Sequence, residues 1–140
     1  MSYDWLVFSL LSAVFAAFVA IFGKIGLKDI DSTLATTVRA GMMFSVLMLI
    51  ALTLGKFKDI SKLDGKAFAF IFLSGLAGAL SWLFYFFALK TGQASKVAAI
   101  DRLSLVFVFL FSLAFLGEKF SIKTLLGIVL IAIGAIIISV

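Results

Sequence analysis

Apolar residues in this chain come in long, nearly unbroken runs rather than in the short alternations of a strand or the one-sided spacing of a soluble helix. Five runs stand out: Trp5–Leu27, Thr33–Leu54, Ala67–Leu89, Ser95–Leu116 and Ile122–Val140. About 20 apolar residues in an α-helix cover the hydrocarbon thickness of a bilayer. A helix is also the form in which one isolated segment satisfies its own backbone amides there. Each run therefore predicts one spanning helix. The polar breaks carry the punctuation that helix ends require. Asp31 and Ser32 stand where the second helix needs a cap, and Ser121 where the fifth does. Gly55, Gly92 and Gly117 each follow a helix end, a position suited to left-handed backbone. No linker interrupts the series, so residues 1–140 read as a single transmembrane domain of an all-α integral membrane protein.

Projected at about 100° per residue, several runs are two-faced. In the first, Ser9, Ser12, Ala13, Ala16, Ala17, Ala20, Gly23 and Lys24 share an arc opposite Val14, Phe15, Phe18, Val19 and Phe22. Small residues let membrane helices approach closely, and they equally leave room for a solute. In the third run, Ser74, Gly78, Ser81, Tyr85 and Ala88 lie together with Trp82 at their edge. Trp82 and Tyr85 lie too deep for the interfacial aromatic belt, which makes them candidates to line a binding cavity. In the fifth, Gly127 and Gly134 nearly superimpose beside Thr124 and Ala135, an expected helix–helix contact within or between subunits.

Composition changes the picture mainly by exclusion. Apolar residues make up 64% of the chain and charged ones 14%, against roughly 45–50% and 25% in soluble domains. The chain has no His, Cys or Pro. That removes imidazole and thiolate metal sites, disulfides and the usual nucleophile–base pairs, so no metal, cofactor or enzymatic activity is expected. The start, Met-Ser-Tyr-Asp-Trp, has no basic leader, and the run behind it is too long for a signal peptide. The first run is expected to remain as a span. A net charge of +5 arises from lysines between the runs, where they meet lipid head groups rather than nucleic acid. The longest connection, 55–66, holds Lys56, Lys58, Lys62 and Lys66 with Asp59 and Asp64, a solvated turn or a head-group site.

Three charges fall inside the runs. Arg39, Asp101 and Arg102 each sit about two turns, near 10 Å, beyond a helix start. A charge in hydrocarbon costs about 3 kcal/mol even on the lenient insertion scale. Alternating the spans gathers Lys24, Arg39, Asp101 and Arg102 at one depth in one leaflet. Asp101, Ser104 and Ser112 share a face, while Arg102 diverges by about 100° toward the head groups. Asp101 is expected to pair with Arg39 or Lys24, either as a structural bridge or as a titratable carboxylate serving a cation or proton.

The order of motifs along the chain resembles the EamA domain of the drug/metabolite transporter superfamily. The resemblance rests on T-V-R-A around Arg39, W-L-F-Y-F-F-A-L-K in the third run, and F-L-G-E-K-F-S after the fourth. It ends on L-L-G-I-V-L-I-A-I-G in the fifth. It covers the whole chain and looks like the short five-helix members of bacteria and archaea. Many relatives carry a Pro near Leu105 and this chain does not, so substrate residues of the ten-helix exporters are not transferred. The resemblance implies a secondary transporter subunit in the cell membrane, moving a small metabolite or drug by alternating access. Amino acids, amines, sugars and nucleosides all remain open as substrates. Substrate binding is expected at Asp101, Arg39, Ser104, Ser81, Trp82 and Tyr85; structural roles are expected at Gly78, Gly127, Gly134 and Glu118. Glu118 should favour the start of the fifth helix through the helix dipole.

A single five-helix repeat needs a partner, because ten-helix relatives pair two such domains in inverted orientation with the substrate between them. With the N-terminus inside, six lysines flank the inner side: Lys56, Lys58, Lys62, Lys66, Lys119 and Lys123. Lys24, Lys28, Lys90, Lys96, Arg39 and Arg102 balance them toward the outer side. Such a balance suits an antiparallel homodimer inserted in both orientations. The rivals are a lipid-handling or accessory membrane subunit, and an obligate heteromer with another EamA half. Partners are thus lipids, a small solute and a second copy, with no nucleic acid.

Overall fold

The computed structural model describes residues 3–119 and 121–140; Phe120, part of the F-L-G-E-K-F-S motif, and the first two residues lie outside them. Five helical segments are long and apolar enough to cross a membrane: Asp4–Gly26, Ser32–Thr53, Gly65–Thr91, Ala94–Leu116 and Ile122–Ser139. They coincide with the five predicted runs to within about two residues. Helix α1 is Asp4–Gly26, α2 Ser32–Thr53 and α3 Gly65–Thr91. The fourth span divides into α4, Ala94–Asp101, and α5, Ser104–Phe111, and the fifth is α6, Ile122–Ser139. Large apolar side chains face outward along all five, as Phe8, Phe44 and Phe115 do at 70%, 64% and 81% exposure. In water that surface would aggregate; in a bilayer it is the solvated surface.

The helix ends obey local chemistry. The Asp31 carboxylate accepts from the amides of Thr33 and Leu34 at 2.9 and 3.0 Å, capping α2. The Ser121 hydroxyl caps α6 through the Thr124 amide at 3.2 Å. Asp64, not anticipated, caps α3 through the Ala67 amide at 2.6 Å. Gly55 and Gly117 adopt the expected left-handed backbone, with φ of 62° and 64°. Gly92 does not: the turn into α4 is extended at Gln93, and the Gly92 carbonyl accepts from Lys24 Nζ at 2.8 Å. Glu118 is exposed, and its amide rather than its carboxylate is used, donating to the Ser112 carbonyl at 3.3 Å. Ser121 takes the capping role expected of it.

The chain resolves into two compact units. One holds Ile25–Lys90, that is α2, α3 and their connection; the other holds the chain up to Lys24 together with Thr91 onward. In the first, α2 is followed by a short 3-10 turn, Lys56–Lys62, that packs back on it, with Lys62 paired to Asp59. Lys90 Nζ closes the other end by donating to the Ile30 carbonyl at 2.6 Å. In the second unit α4 packs along α6, and α5 touches the same helix. Lys96 Nζ donates to the carbonyls of Ser139 and Val140 at 3.1 and 3.2 Å, a cation set where the α6 dipole is negative.

The faces differ in part from those projected. On α1 only the C-terminal portion of the small-residue arc is covered, at Ala16, Ala20, Gly23 and Lys24, while Ser9, Ser12, Ala13 and Ala17 stay open. On α6 the covered positions are Leu125, Ile128, Ala132, Gly134, Ala135 and Ser139. Gly127 is exposed, and a Cβ built on it or on Gly134 meets nothing within 4 Å. The same holds at Gly78. None of these three glycines is required by a close approach within the subunit. On α3 the most buried positions are Phe86 and Leu89, and on α6 Ala135.

The fourth span departs most. Its backbone bonds tighten from four-residue to three-residue spacing around Arg102 and Leu103. The Arg102 amide reaches the Ala99 carbonyl at 3.1 Å, Leu103 reaches Ile100 at 2.9 Å, and Leu105 reaches Arg102 at 3.1 Å. The expected continuous helix is therefore a helix, a 3-10 junction and a second helix, ending in a π turn at Ser112–Leu116. A 3-10 step brings side chains three apart into line, which keeps Ser104 beneath Asp101. It also turns Ser112 away by about 60°. Ser112 instead serves the helix end, its hydroxyl donating to the Phe109 carbonyl at 3.0 Å.

Candidate functional site

Two of the expected site residues meet in the α2–α3 unit. Arg39 lies seven residues into α2 and Trp82 nine residues before the end of α3, so each is more than 10 Å from its helix terminus. The guanidinium carbon of Arg39 lies 3.7 Å from the centroid of the Trp82 ring and 5.5 Å from that of Phe86. The shorter distance is van der Waals contact between two flat groups. The cation therefore lies over the indole ring. Such contacts are worth about 2 kcal/mol when desolvated, a large share of the roughly 3 kcal/mol that a mid-span Arg costs on the insertion scale.

The indole is itself held in place. Tyr85 packs edge-on at 5.5 Å between centroids and 78° between planes, and Phe86 at 6.1 Å and 67°. Phe86 is 4% exposed and anchors the cluster; Leu89, one turn on, is fully buried. Toward its C-terminal half α3 is covered at Gly78, Trp82, Leu83, Tyr85, Phe86 and Leu89. Of the projected face Gly78 and Tyr85 are covered, while Ser74, Ser81 and Ala88 are exposed. Phe86 was missed, although its place one turn after Trp82 puts both on one face, a spacing that was available in the sequence.

Arg39 is partly buried, and among the described residues it makes neither a hydrogen bond nor an ion pair. Stacking uses the face of a guanidinium; its five N–H donors lie in its plane. The geometry thus presents a planar, cationic donor set inside a membrane span, over the rings of Trp82 and Phe86.

Asp101 and Ser104 belong to the other unit. Asp101 is the last residue of α4 and Ser104 the first of α5, so they flank the 3-10 junction. The carboxylate of Asp101 lies 3.9 Å from the Arg102 guanidinium, with both side chains about half exposed. The projected divergence of Arg102 thus does not prevent contact. At that distance and exposure the pair contributes little. Lys24, the other expected partner, donates to Gly92 instead. Among the described residues no group of three or more His, Cys, Asp or Glu side chains gathers to hold a metal ion.

Comparison with known proteins agrees with this architecture. The profile of the EamA-like transporter family matches residues 4–140. A Sinorhizobium protein described as an uncharacterized transporter in the cobO 3′ region is 43% identical over 140 residues, covering 100% of this chain and 99% of that relative. An uncharacterized protein of Methanocaldococcus jannaschii is 29% identical over 135 residues, 96% of each chain. No solved structure matches the chain. With five membrane-spanning helices in one family match that runs nearly end to end, the chain belongs to the EamA-like transporter family.

Proposed function

We propose that the protein is one half of a secondary transporter that works by alternating access as an antiparallel homodimer in the cell membrane. The observation that carries this reading is an odd number of spans, five, in a chain whose flanking cations are evenly divided. An odd repeat reverses direction when duplicated, and a balanced chain can enter the membrane either way. One gene product then supplies both inverted halves. The residues proposed to contact solute are Arg39, Ser81, Trp82 and Tyr85 in one unit and, considered separately, Asp101 and Ser104 in the other. The junction between α4 and α5 supports the alternating step, since a mid-helix 3-10 segment is a frequent hinge.

The chain contains no Cys, so one introduced at Lys58, in the exposed 3-10 turn, would be unique. A membrane-impermeant thiol reagent should label it from both faces of sealed membranes. Labelling from one face only would end the dual-orientation reading and require a different partner. Uptake of metabolite classes in a deletion strain tests transport itself.

A further inference from the structure

We infer that Arg39, held on Trp82, is the recognition point for an anionic oxygen pair, a carboxylate foremost, on the molecule that this site takes. The inference rests on the transporter reading and names its ligand class. Four observations lead to it. The guanidinium lies about two turns inside α2, where a charge is costly and therefore purposeful. It is held by ring faces, at 3.7 Å from Trp82 and 5.5 Å from Phe86, rather than by an acid. Its in-plane donors have no partner among the described residues. The platform beneath it is itself braced edge-on by Tyr85 and Phe86, so the fork is aimed rather than free to swing.

A cation needed only for structure would be better matched to a fixed carboxylate, and one needed only at the interface would extend to the head groups. A stacked guanidinium does neither. It keeps its charge and gives up one face, while its donors stay set for a planar acceptor. A carboxylate meets such a fork through two parallel N–H···O bonds. Phosphate oxygens fit the same fork, whereas an ammonium or a neutral hydroxyl gains nothing from it. Two sources can supply that chemistry, a soluble solute and an anionic lipid head group. Tyr85 and Trp82 give the rest of a small solute an aromatic wall.

The chain has two tryptophans, Trp5 and Trp82. Trp5→Phe, at a residue 68% exposed and far along the sequence from the cluster, leaves Trp82 as the single reporter at the guanidinium. The test uses this variant in phosphatidylcholine nanodiscs, titrated with acetate, succinate or inorganic phosphate at constant ionic strength, with ethylammonium chloride as the cationic control. A saturable change in Trp82 emission is expected with at least one of the carboxylates and none with ethylammonium. Arg39→Gln should remove the response. Arg39→Lys, which keeps charge and depth but not the planar fork, should weaken it about tenfold. If the Gln variant does not fold, the Lys variant decides, and unchanged affinity there overturns the inference. So does the absence of a saturable change with any anion, or a response that survives Arg39→Gln. Replacing the lipid with phosphatidylglycerol, without soluble anion, is the second arm. An emission change there that needs Arg39 supports anion recognition and assigns its source to the head group.

Failure of the transporter reading is separable. Anion binding without uptake would spare this inference and sink that reading. Uptake of a cationic solute that survives Arg39→Gln would do the reverse.

Discussion

Arg39 and Asp101 are both charges about two turns into a span, yet their surroundings are opposite. Arg39 is stacked on an indole from a neighbouring helix that is itself braced by two further rings. Asp101 stands at a break in its own helix, and its ion pair among the described residues is with the next residue in sequence, at 3.9 Å. The difference teaches where each can act. A group fixed by contacts between two helices can recognise a shape, because moving it costs those contacts. A carboxylate on a 3-10 junction can change partner cheaply, since its present pairing is weak and its backbone is already off regular helical geometry. On the proposed reading, recognition and switching fall to different helices, each with the local structure it would need.

The largest expected effect comes from removing the fixed side of this contrast. Trp82→Ala should destabilise the protein by about 3 kcal/mol, near the lower end for deleting a large aromatic from a packed site. Trp82→Phe keeps a ring under Arg39 and should cost less than half as much. Thermal unfolding of the two variants in the same detergent measures both. Equal losses would mean that the indole contributes bulk rather than a platform.

A smaller but more specific effect is expected at the adaptable side. Asp101→Asn should leave thermal stability within about 0.5 kcal/mol, as for an exposed position, and lower transport about tenfold, equivalent to 1.4 kcal/mol. Arg102→Lys should preserve both. Full transport in Asp101→Asn would reduce Asp101 to scaffolding and leave Arg39 as the one functional charge.

How far this was legible in the sequence depended on which physics set each feature. The five spans were readable because length and apolarity alone decide what a bilayer accepts, and their bounds agree to about two residues. The caps at Asp31 and Ser121 were readable because a short polar side chain before an apolar run has one good use there. The junction at Arg102–Leu103 was not. It has no Pro or Gly to mark it, and a continuous apolar run looks the same whether its bonds step by three or by four. The faces of α3 and α6 were legible only in part. Gly78 and Tyr85 on α3 and Gly134 and Ala135 on α6 are covered positions of the projected faces, but Phe86 and Leu89 were not among them, and Cβ atoms at Gly78, Gly127 and Gly134 would meet open space. Pattern identifies candidates for contact; only the neighbouring helix decides which are used. Arg39 was singled out by its cost inside a span and by its place in the T-V-R-A motif. Its aromatic partner could not be chosen from the sequence, which offered Asp101 as readily.

The smallest predicted effect uses a second carboxylate as a reference for Asp101. Asp31 lies outside the spans, where the amide of Leu34 foremost, then that of Thr33 and the charge of Lys90, hold its carboxyl below the usual range. A pKa lower in the folded than in the unfolded protein means that the ionised form is favoured by folding. The stabilisation is then fully present above the unfolded value, about 3.9, and is lost as pH falls through the lower folded value. Asn caps a helix about as well as Asp without titrating, so Asp31→Asn should match the parent near neutrality. Below pH 4 the parent's unfolding midpoint should fall more steeply than the variant's. Parallel decline of the two would show that other acids govern this window and that the cap is no guide to how a bound carboxylate behaves in this fold. A flatter curve for Asp31→Asn would establish the amide-held case, against which the loosely paired Asp101 can then be measured by the same substitution.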